Sequence, residues 1–414
     1  MNTRVEITLL DSGSESWDAE IDQLRSLLGA PDNATLLPPH YLKATFPKIG
    51  GRVIAFTKAQ TLAGAAFLFP RALRQGRREF TLRFHRLDPD LDLEPLVRGI
   101  EEKLGGAQVV CYDPQADQPY GERTGRESTD LAVGPANAAD ALAIRDLQQR
   151  VWGSEPDYLY PADIHSTPFR TGTSLIAKMD GEPVAFLFGF YTFGGPRLPV
   201  EWNRKYGGEF RIESQLLGAL PEFRGRSIGS ILKNAQAENA RREGIGIIHW
   251  TVDPLQYRNA RLNFGQLRTL SFGFYPNYYS FRNELNQTPA SRLVITWLIN
   301  TARVRQDLEG GRAVQDLRGN ISTLRFEKNW PEAQLAEQPR SMAIEIPAHW
   351  TALQKDHPEG AARWRASTDR LFRHYLGCQE GRYIITGVGE DGGQKYLIAD
   401  KVDAELLEKL GRSA

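Results

Sequence analysis

The chain reads as a mixed α/β (α+β) protein. It is expected to hold two tandem domains, each a mixed, mostly antiparallel sheet flanked by helices, followed by a C-terminal α/β extension. Three observations predict this. At 414 residues the chain exceeds what one ordinary hydrophobic core supports, so two or three domains are expected. Segments of strand and helix period run in the same order twice before Asp253. Ala66-Phe67-Leu68-Phe69 also matches Ala185-Phe186-Leu187-Phe188 at the same place in a hairpin, which suggests a repeat. The expected domains are 1–125, 126–287 and 288–414.

In the first segment, β-rich runs place strands over 5–10, 53–57, 63–69, 79–85 and 108–112, with helices over 17–28 and 93–104. A stretch rich in Ser, Asp and Gly, 114–129, reads as a linker. The second segment starts with a helix over 138–151 and strands over 174–178, 184–193 and 211–220. A helix over 227–242, a strand over 246–252 and a short helix over 259–267 complete it. Pro254 ends the last of these strands by removing a backbone donor. In the third segment the pattern gives strands over 293–298, 322–326 and 342–346 and a helix over 360–375. A hairpin of 383–387 and 395–399, turned by Asp391-Gly392-Gly393, closes it. This segment carries no chemical motif, and its apolar strands are suited to pairing across a homodimer.

Composition excludes several classes. Lys+Arg and Asp+Glu both count 51, so net charge gives no pull toward nucleic acid or an anionic membrane. No apolar run reaches membrane-spanning length, and the first residues lack a signal-peptide core, which points to a cytoplasmic protein. The two cysteines, Cys111 and Cys378, build neither a disulfide framework nor a multi-thiolate zinc site, and a buried apolar role is expected for both. Asp88, Asp90 and Asp92 have the spacing of a calcium loop, but Leu93 stands where that loop needs glycine. An acidic helix start is the better reading, and no metal is expected.

Chemistry concentrates in Arg224-Gly225-Arg226-Ser227-Ile228-Gly229, between the strand over 211–220 and the helix over 227–242. A glycine-bearing turn at a helix N-terminus directs free N–H groups and the positive end of the helix dipole at one point. Arg224 and Arg226 add guanidinium forks suited to phosphate oxygens, so the stretch reads as a pyrophosphate cradle. Ile228, Ile231, Leu232 and Ala235 fall on one helix face, with Lys233, Glu238 and Arg241 elsewhere. Ser227 is suited to cap the helix and Gly244 to end it.

The order strand, arginine-led glycine loop, helix, strand resembles the GNAT acyltransferase superfamily, whose phosphate motif is Arg/Gln-x-x-Gly-x-Gly/Ala. Asp253-Pro254-Leu255, 259–264 and the region from Glu345 to Arg365 resemble an uncharacterised predicted-acetyltransferase branch of it. The resemblance implies acetyl-CoA, or another acyl-CoA, as co-substrate, held by N–H groups of Arg226, Ser227, Ile228, Gly229 and Ser230 and by Arg224, Gly225 and Arg226. It implies a backbone N–H at Ala219 facing the thioester oxygen, where the strand splays from the one ending at Val252, and an Asn259 contact to the pantetheine arm. Ser227 stands where the motif has its middle glycine, and Phe264 where many such enzymes have a tyrosine acid. Direct transfer to an amine also needs a base, for which Glu213 and Asp253 are the candidates, with His249 weaker. Tyr275, near Tyr278 and Tyr279, is the tyrosine named to protonate the thiolate. The acceptor is a small-molecule, peptide or protein amine, for which Trp152 to His165, with Tyr158, Tyr160, Asp163 and His165, offers pocket residues.

Two other readings compete. Phe264 and the first segment, which has no cradle and reads as a degenerate copy, suit a non-catalytic acyl-CoA-binding or scaffold protein. Gly225-Arg226-Ser227-Ile228-Gly229 is also Gly-x-Ser-x-Gly, the nucleophile elbow of serine hydrolases, with His249, His349, His357 or His374 as partner. Polar residues crowd the preceding strand and Pro221-Glu222-Phe223-Arg224 intervenes, both of which weigh against an elbow.

Overall fold

A computed structural model describes residues 5–29, 36–112, 131–153, 155, 158–166, 169–206, 208–279, 290–305, 314–317, 322–324, 326 and 339–414. The expected linker and the boundaries at 125/126 and 287/288 lie outside the described residues. The chain forms mixed sheets flanked by helices, in two compact units: Met1–Gly195 with Glu209–Ile245, and Pro196–Gly208 with Gly246–Ala414.

In the first unit, β1 (Val5–Leu9), β2 (Arg52–Lys58), β3 (Thr61–Arg74), β4 (Arg77–Arg86) and β5 (Gln108–Tyr112) form one sheet in that order. It is antiparallel except for the β4–β5 pair, which is parallel because α3 (Leu93–Lys103) crosses between them. The helix α1 (Trp17–Leu28) follows β1, and the short α2 (Phe46–Lys48) precedes β2. Asp92 caps α3 by accepting from the N–H of Glu94, and Asp88 pairs with Lys58 at 2.9 Å, as an acidic helix start requires. The second set of strands in this unit is antiparallel throughout: β6 (Ala132–Pro135), β7 (Gly172–Met179), β8 (Glu182–Phe193) and β9 (Phe210–Ala219). The helix α4 (Ala138–Trp152) precedes β7, and its Asn137–Asp140 capping box satisfies two N-terminal donors. The matching quartets Ala66–Phe69 and Ala185–Phe188 both lie on the second strand of a hairpin, β3 and β8.

The two sets of strands share one apolar core. Phe67 and Phe69 of β3, Tyr41 and Phe46 ahead of β2, and Tyr160, Phe169, Phe188 and Phe190 belong to one buried cluster. Phe69 meets Phe46 edge-on at 4.9 Å between ring centroids and Phe169 at 5.0 Å. A buried ion pair accompanies these rings: Arg83 Nε of β4 donates to Asp163 Oδ2 at 2.7 Å, with both side chains within 1% of full burial. His165 is also enclosed, its Nδ1 at 3.1 Å from Ser174 Oγ, and burial drives its pKa down to about 3.

In the second unit the strands run β14 (Ser322–Leu324), β15 (Ser341–Ile346), β17 (Gln394–Lys401), β16 (Tyr383–Asp391), β11 (Leu270–Tyr279), β12 (Ala290–Leu298), β10 (Ile247–Val252). A short β13 (Gln315–Asp316) lies parallel to β16. Strand β11 falls where the sequence offered only a cluster of tyrosines. The short helix expected over 259–267 starts earlier, as Tyr257–Ala260, and continues in wider turns over Arg261–Gln266. The buried face of the long helix Pro358–Tyr375 includes Leu371, Phe372 and Tyr375. Cys111, expected to be buried, is exposed at the end of the first sheet, because β5 is an edge strand there. Among the described residues no helix is long and apolar enough to cross a membrane.

Two measurements test this packing. Arg83→Ala, which strands Asp163 as a buried lone charge, is expected to cost about 3–5 kcal/mol in chemical unfolding, whereas Arg83→Met with Asp163→Leu recovers most of it. An Arg83→Ala protein of unchanged stability removes that account of the ion pair. Because His165 is held neutral when folded and regains its ordinary pKa near 6.5 when unfolded, stability is lost as pH falls from about 6.5 toward 3. Unfolding midpoints measured across that window should fall less steeply in His165→Gln.

Candidate functional site

The cradle takes its shape from backbone conformation. After β9 a single turn, Pro221–Phe223, uses the N–H groups of Phe223 and Arg224 internally, bonded to Leu220 and Pro221 carbonyls. Gly225 (φ +86°) and Ser227 (φ +60°) then both turn left-handed, and α6 (Ile228–Arg242) begins. Among the described residues, the N–H groups of Gly225, Arg226, Ser227, Ile228 and Gly229 have no acceptor. The Ser230 N–H, expected to belong to this set, donates instead to the Ser227 carbonyl at 3.1 Å, and so does the Ser230 hydroxyl at 2.8 Å. Arg224 and Arg226 are exposed beside the loop, and Arg226 lies over the Phe223 ring at 5.2 Å. Exposed donors, two guanidinium groups and a helix N-terminus together fit a diphosphate.

Ser227 occupies the N-cap position but does not cap, because its left-handed φ turns the hydroxyl away from the first helical N–H groups. That conformation suits the glycine which the motif carries here. As a nucleophile Ser227 is also poorly placed: β9 runs antiparallel to β8, whereas the elbow belongs to a parallel strand, and no histidine bonds its hydroxyl among the described residues.

Strand β9 carries an irregularity that decides which side chains face where. Phe188 pairs with Leu216 but Gly189 with Ser214, so Gln215 is an extra residue, a β-bulge. Ser214 faces α6: its hydroxyl donates to Gln236 Oε1 at 2.9 Å and accepts from Lys233 Nζ at 2.7 Å. Gln236 comes so near the bulge that a Cβ on Gly189 would lie 2.6 Å from its Nε2. Lys233, expected on the polar face of α6, is therefore buried, and burial holds its amine far below the usual lysine range. Ile231, expected in the apolar stripe, is 41% exposed.

Glu213 falls on the opposite face, paired across the ladder with Phe190. Tyr41 stacks on Phe190 at 4.9 Å and meets Tyr160 edge-on at 5.1 Å. Burial pushes the Glu213 carboxyl up to about 7, against the pull of the Lys48 ammonium at the end of α2. Just past the end of β9, the Leu220 N–H donates to the Val184 carbonyl of β8 at 3.0 Å. By alternation the neighbouring Ala219 N–H points off the other edge of the strand.

The chain's similarity to known proteins can now be placed on this geometry. Residues 141–263 match the family model described as Acetyltransferase (GNAT) family. Residues 141–263 are a GNAT acetyltransferase domain. The match runs from α4 through the cradle to Asn263. Solved structures similar to the chain include Arabidopsis thaliana NAA60 with a bisubstrate analogue, at 13% identity and TM-score 0.34, covering 41% of this chain and 100% of that one. The putative acetyltransferase yncA of Salmonella typhimurium, with acetyl-CoA, has 14% identity and TM-score 0.31 over 41% of this chain and 94% of its own. Diaminobutyrate acetyltransferase EctA of Paenibacillus lautus, with L-2,4-diaminobutyric acid and coenzyme A, has 17% identity and TM-score 0.30 over 42% and 98%. Among curated proteins none matches the chain.

Within the GNAT domain and beyond it, the remaining expected residues take varied places. Asp253 is buried in the second unit with both carboxylate oxygens on Arg365, at 3.1 and 2.6 Å, and its Oδ1 also accepts from the Leu255 N–H. A carboxylate so neutralised is a structural anchor and not a free base, which corrects the expectation for it. Tyr275 is 48% exposed on β11 and stacks on Tyr278, and Asn259 is exposed on the short helix Tyr257–Ala260. His249 is buried within β10 and Phe264 is fully enclosed. Of the stretch from Trp152 to His165, Asp163 and His165 serve packing, while Tyr158 stacks on His40 at 5.8 Å and Tyr160 meets Tyr41 edge-on. Tyr41, Lys48 and Arg365 were missed because their partners are remote in sequence; the aromatic run His40-Tyr41, in a stretch assigned no element, was the one available signal.

The left-handed Ser227 yields a stability test. Ser227→Gly is expected to leave folding unchanged or firmer by up to about 1 kcal/mol, and Ser227→Val to weaken it by more than about 1 kcal/mol, since a β-branched residue resists that φ. Equal unfolding midpoints for Gly and Val variants contradict this account.

Proposed function

We propose that this protein is an N-acyltransferase that moves an acyl group, acetyl foremost, from coenzyme A to an amine. The observation that carries the reading is the set of five acceptorless N–H groups at 225–229, flanked by Arg224 and Arg226, within a GNAT domain. These groups suit the diphosphate of the thioester substrate.

The groups used in the reaction lie in the first unit. Glu213, with a carboxyl poised near 7, takes a proton from the incoming ammonium. The freed amine attacks the thioester carbonyl, forming the C–N bond. Charge gathers on the carbonyl oxygen, for which the Ala219 N–H is the donor. As the C–S bond breaks, the second amine proton leaves and the thiolate takes a proton from a tyrosine or from solvent. Amide, free coenzyme A and one proton, released later from Glu213, balance the reaction.

A second reading, a non-catalytic acyl-CoA-binding protein, is favoured by one feature: the enclosed Phe264 stands where a tyrosine acid is usual. The two part experimentally. Arg226→Ala should weaken coenzyme A binding about 10- to 100-fold by titration calorimetry, the value of a charge-assisted contact to phosphate. Glu213→Gln should keep that binding and lower kcat/KM about 10²- to 10⁴-fold. Since the base acts only when deprotonated, wild-type kcat/KM should rise with pH through about 7 and then level off. Coenzyme A binding with no amine-stimulated thiol release across a broad amine panel favours the second reading.

A further inference from the structure

A cleft of about 860 Å³ opens where the first residues of β2 and β4 lie beside the end of β8, wholly within the first unit. It shares no residue with the loop at 224–229, and its volume is that of a small-molecule site. Its charged lining is Arg52, Arg77 and Arg78 against Glu209, a local excess of cations in a chain with no net charge. Arg52 alternates with Ile54, and Arg78 with Phe80. Ile54 and Phe80 share one core cluster, so both arginines project from one face of the first sheet. Half-buried Phe193, edge-on to Phe80 at 5.3 Å, supplies the apolar wall. The guanidinium groups are anchored without being used up. Arg52 Nη1 donates to the Gly51 carbonyl at 3.1 Å and Arg77 Nε to the Gly106 carbonyl at 2.6 Å. Arg78 Nη2 donates to Glu209 Oε2 at 3.1 Å, and its guanidinium carbon lies 5.3 Å from the Phe193 ring centre. Among the described residues each therefore gives one of its five N–H donors to the protein. At the rim, the turn Gln75-Gly76 has both residues left-handed, and neither N–H has an acceptor among the described residues.

Guanidinium groups that enter one cleft from different places suit an anion that carries charge at more than one point. A carboxylate offers two oxygens in one plane to a single fork. A phosphate presents oxygens in several directions, and a chain of phosphates repeats them along its length. The side chains of Arg78 and Glu209 are 46% and 60% exposed, so their pairing is weak and open to exchange for a more highly charged partner. We propose that this cleft is a second binding site, for a small-molecule polyphosphate whose oxygens take the remaining donors of Arg52, Arg77 and Arg78 and displace Glu209 from Arg78. A nucleoside carried on the phosphates has Phe193 as its wall, whereas an inorganic chain uses the guanidinium groups alone. The site stands apart from the transferase reading, because none of its residues belongs to the reaction or to the cradle.

The test titrates the full-length protein, with coenzyme A in excess, against sodium tripolyphosphate, ATP and citrate by calorimetry. One polyphosphate should bind per chain, at least about tenfold more tightly than citrate, the difference of one charge-assisted contact. Arg52→Gln and Arg78→Gln should each weaken that binding about tenfold or more, with unfolding midpoints unmoved. Glu209→Gln should tighten it about two- to fivefold, because the internal competitor for Arg78 is gone. Arg226→Ala should leave it unchanged. ATP bound about tenfold more tightly than tripolyphosphate supports the site in its nucleoside form, and equal affinities support it for the inorganic chain. The inference is overturned if neither polyphosphate binds, if citrate binds as well, or if Glu209→Gln weakens binding. Binding that survives Arg52→Gln and Arg78→Gln but is lost in Arg226→Ala places the anion in the cradle and overturns it equally.

Discussion

Burial of aromatic rings between the N-terminal stretch and β8 is the constraint on which the first unit depends. Phe46 and Phe69 cannot be covered by their own sheet alone, and Phe188 and Phe190 present a matching face. Joining them removes both apolar faces from water, at roughly 1.5–3 kcal/mol for each large side chain so buried. The consequence is positional. Once Phe46 and Tyr41 are seated, α2 ends at Ile49, whose carbonyl accepts from the Phe193 N–H at the end of β8.

The bulge at Gln215 separates two environments on one strand. Toward α6, Ser214, Lys233 and Gln236 form a closed polar group beneath the helix that begins at the cradle. Toward the aromatic core, Glu213 stands in a place that raises its proton affinity without fully sealing it from solvent. The polar group beneath α6 and the Glu213 carboxyl thereby lie on opposite faces of β9. Asp253 shows the contrary case: a bidentate guanidinium fixes it, so its charge supports structure.

Much of the architecture is legible from pattern alone. The helix over 17–28, the strand over 108–112 and the cradle loop follow periods and turn chemistry that need no distant partner. Glu213 is visible as a polar residue on the cradle strand. The faces of α6 are read less well: Ile231 points to water and Lys233 inward, because Ser214 and Gln236 supply polar partners that periodicity does not register. Strand β11 escapes notice because its tyrosines and Pro276 mask alternation, and pairing with β12 decides its state.

Sequence by itself determined the arginine-flanked turn at 224–229, since left-handed residues, arginines and a helix start are local features whose geometry the backbone enforces over a few residues. It likewise determined the mixed α/β character and the acyltransferase resemblance. Only the tertiary structure decided how the first segment packs against β8. Its Tyr41 stacks on Phe190 across more than a hundred residues of chain, and such a meeting depends on which apolar faces bury each other, a property of the whole core and of no single motif.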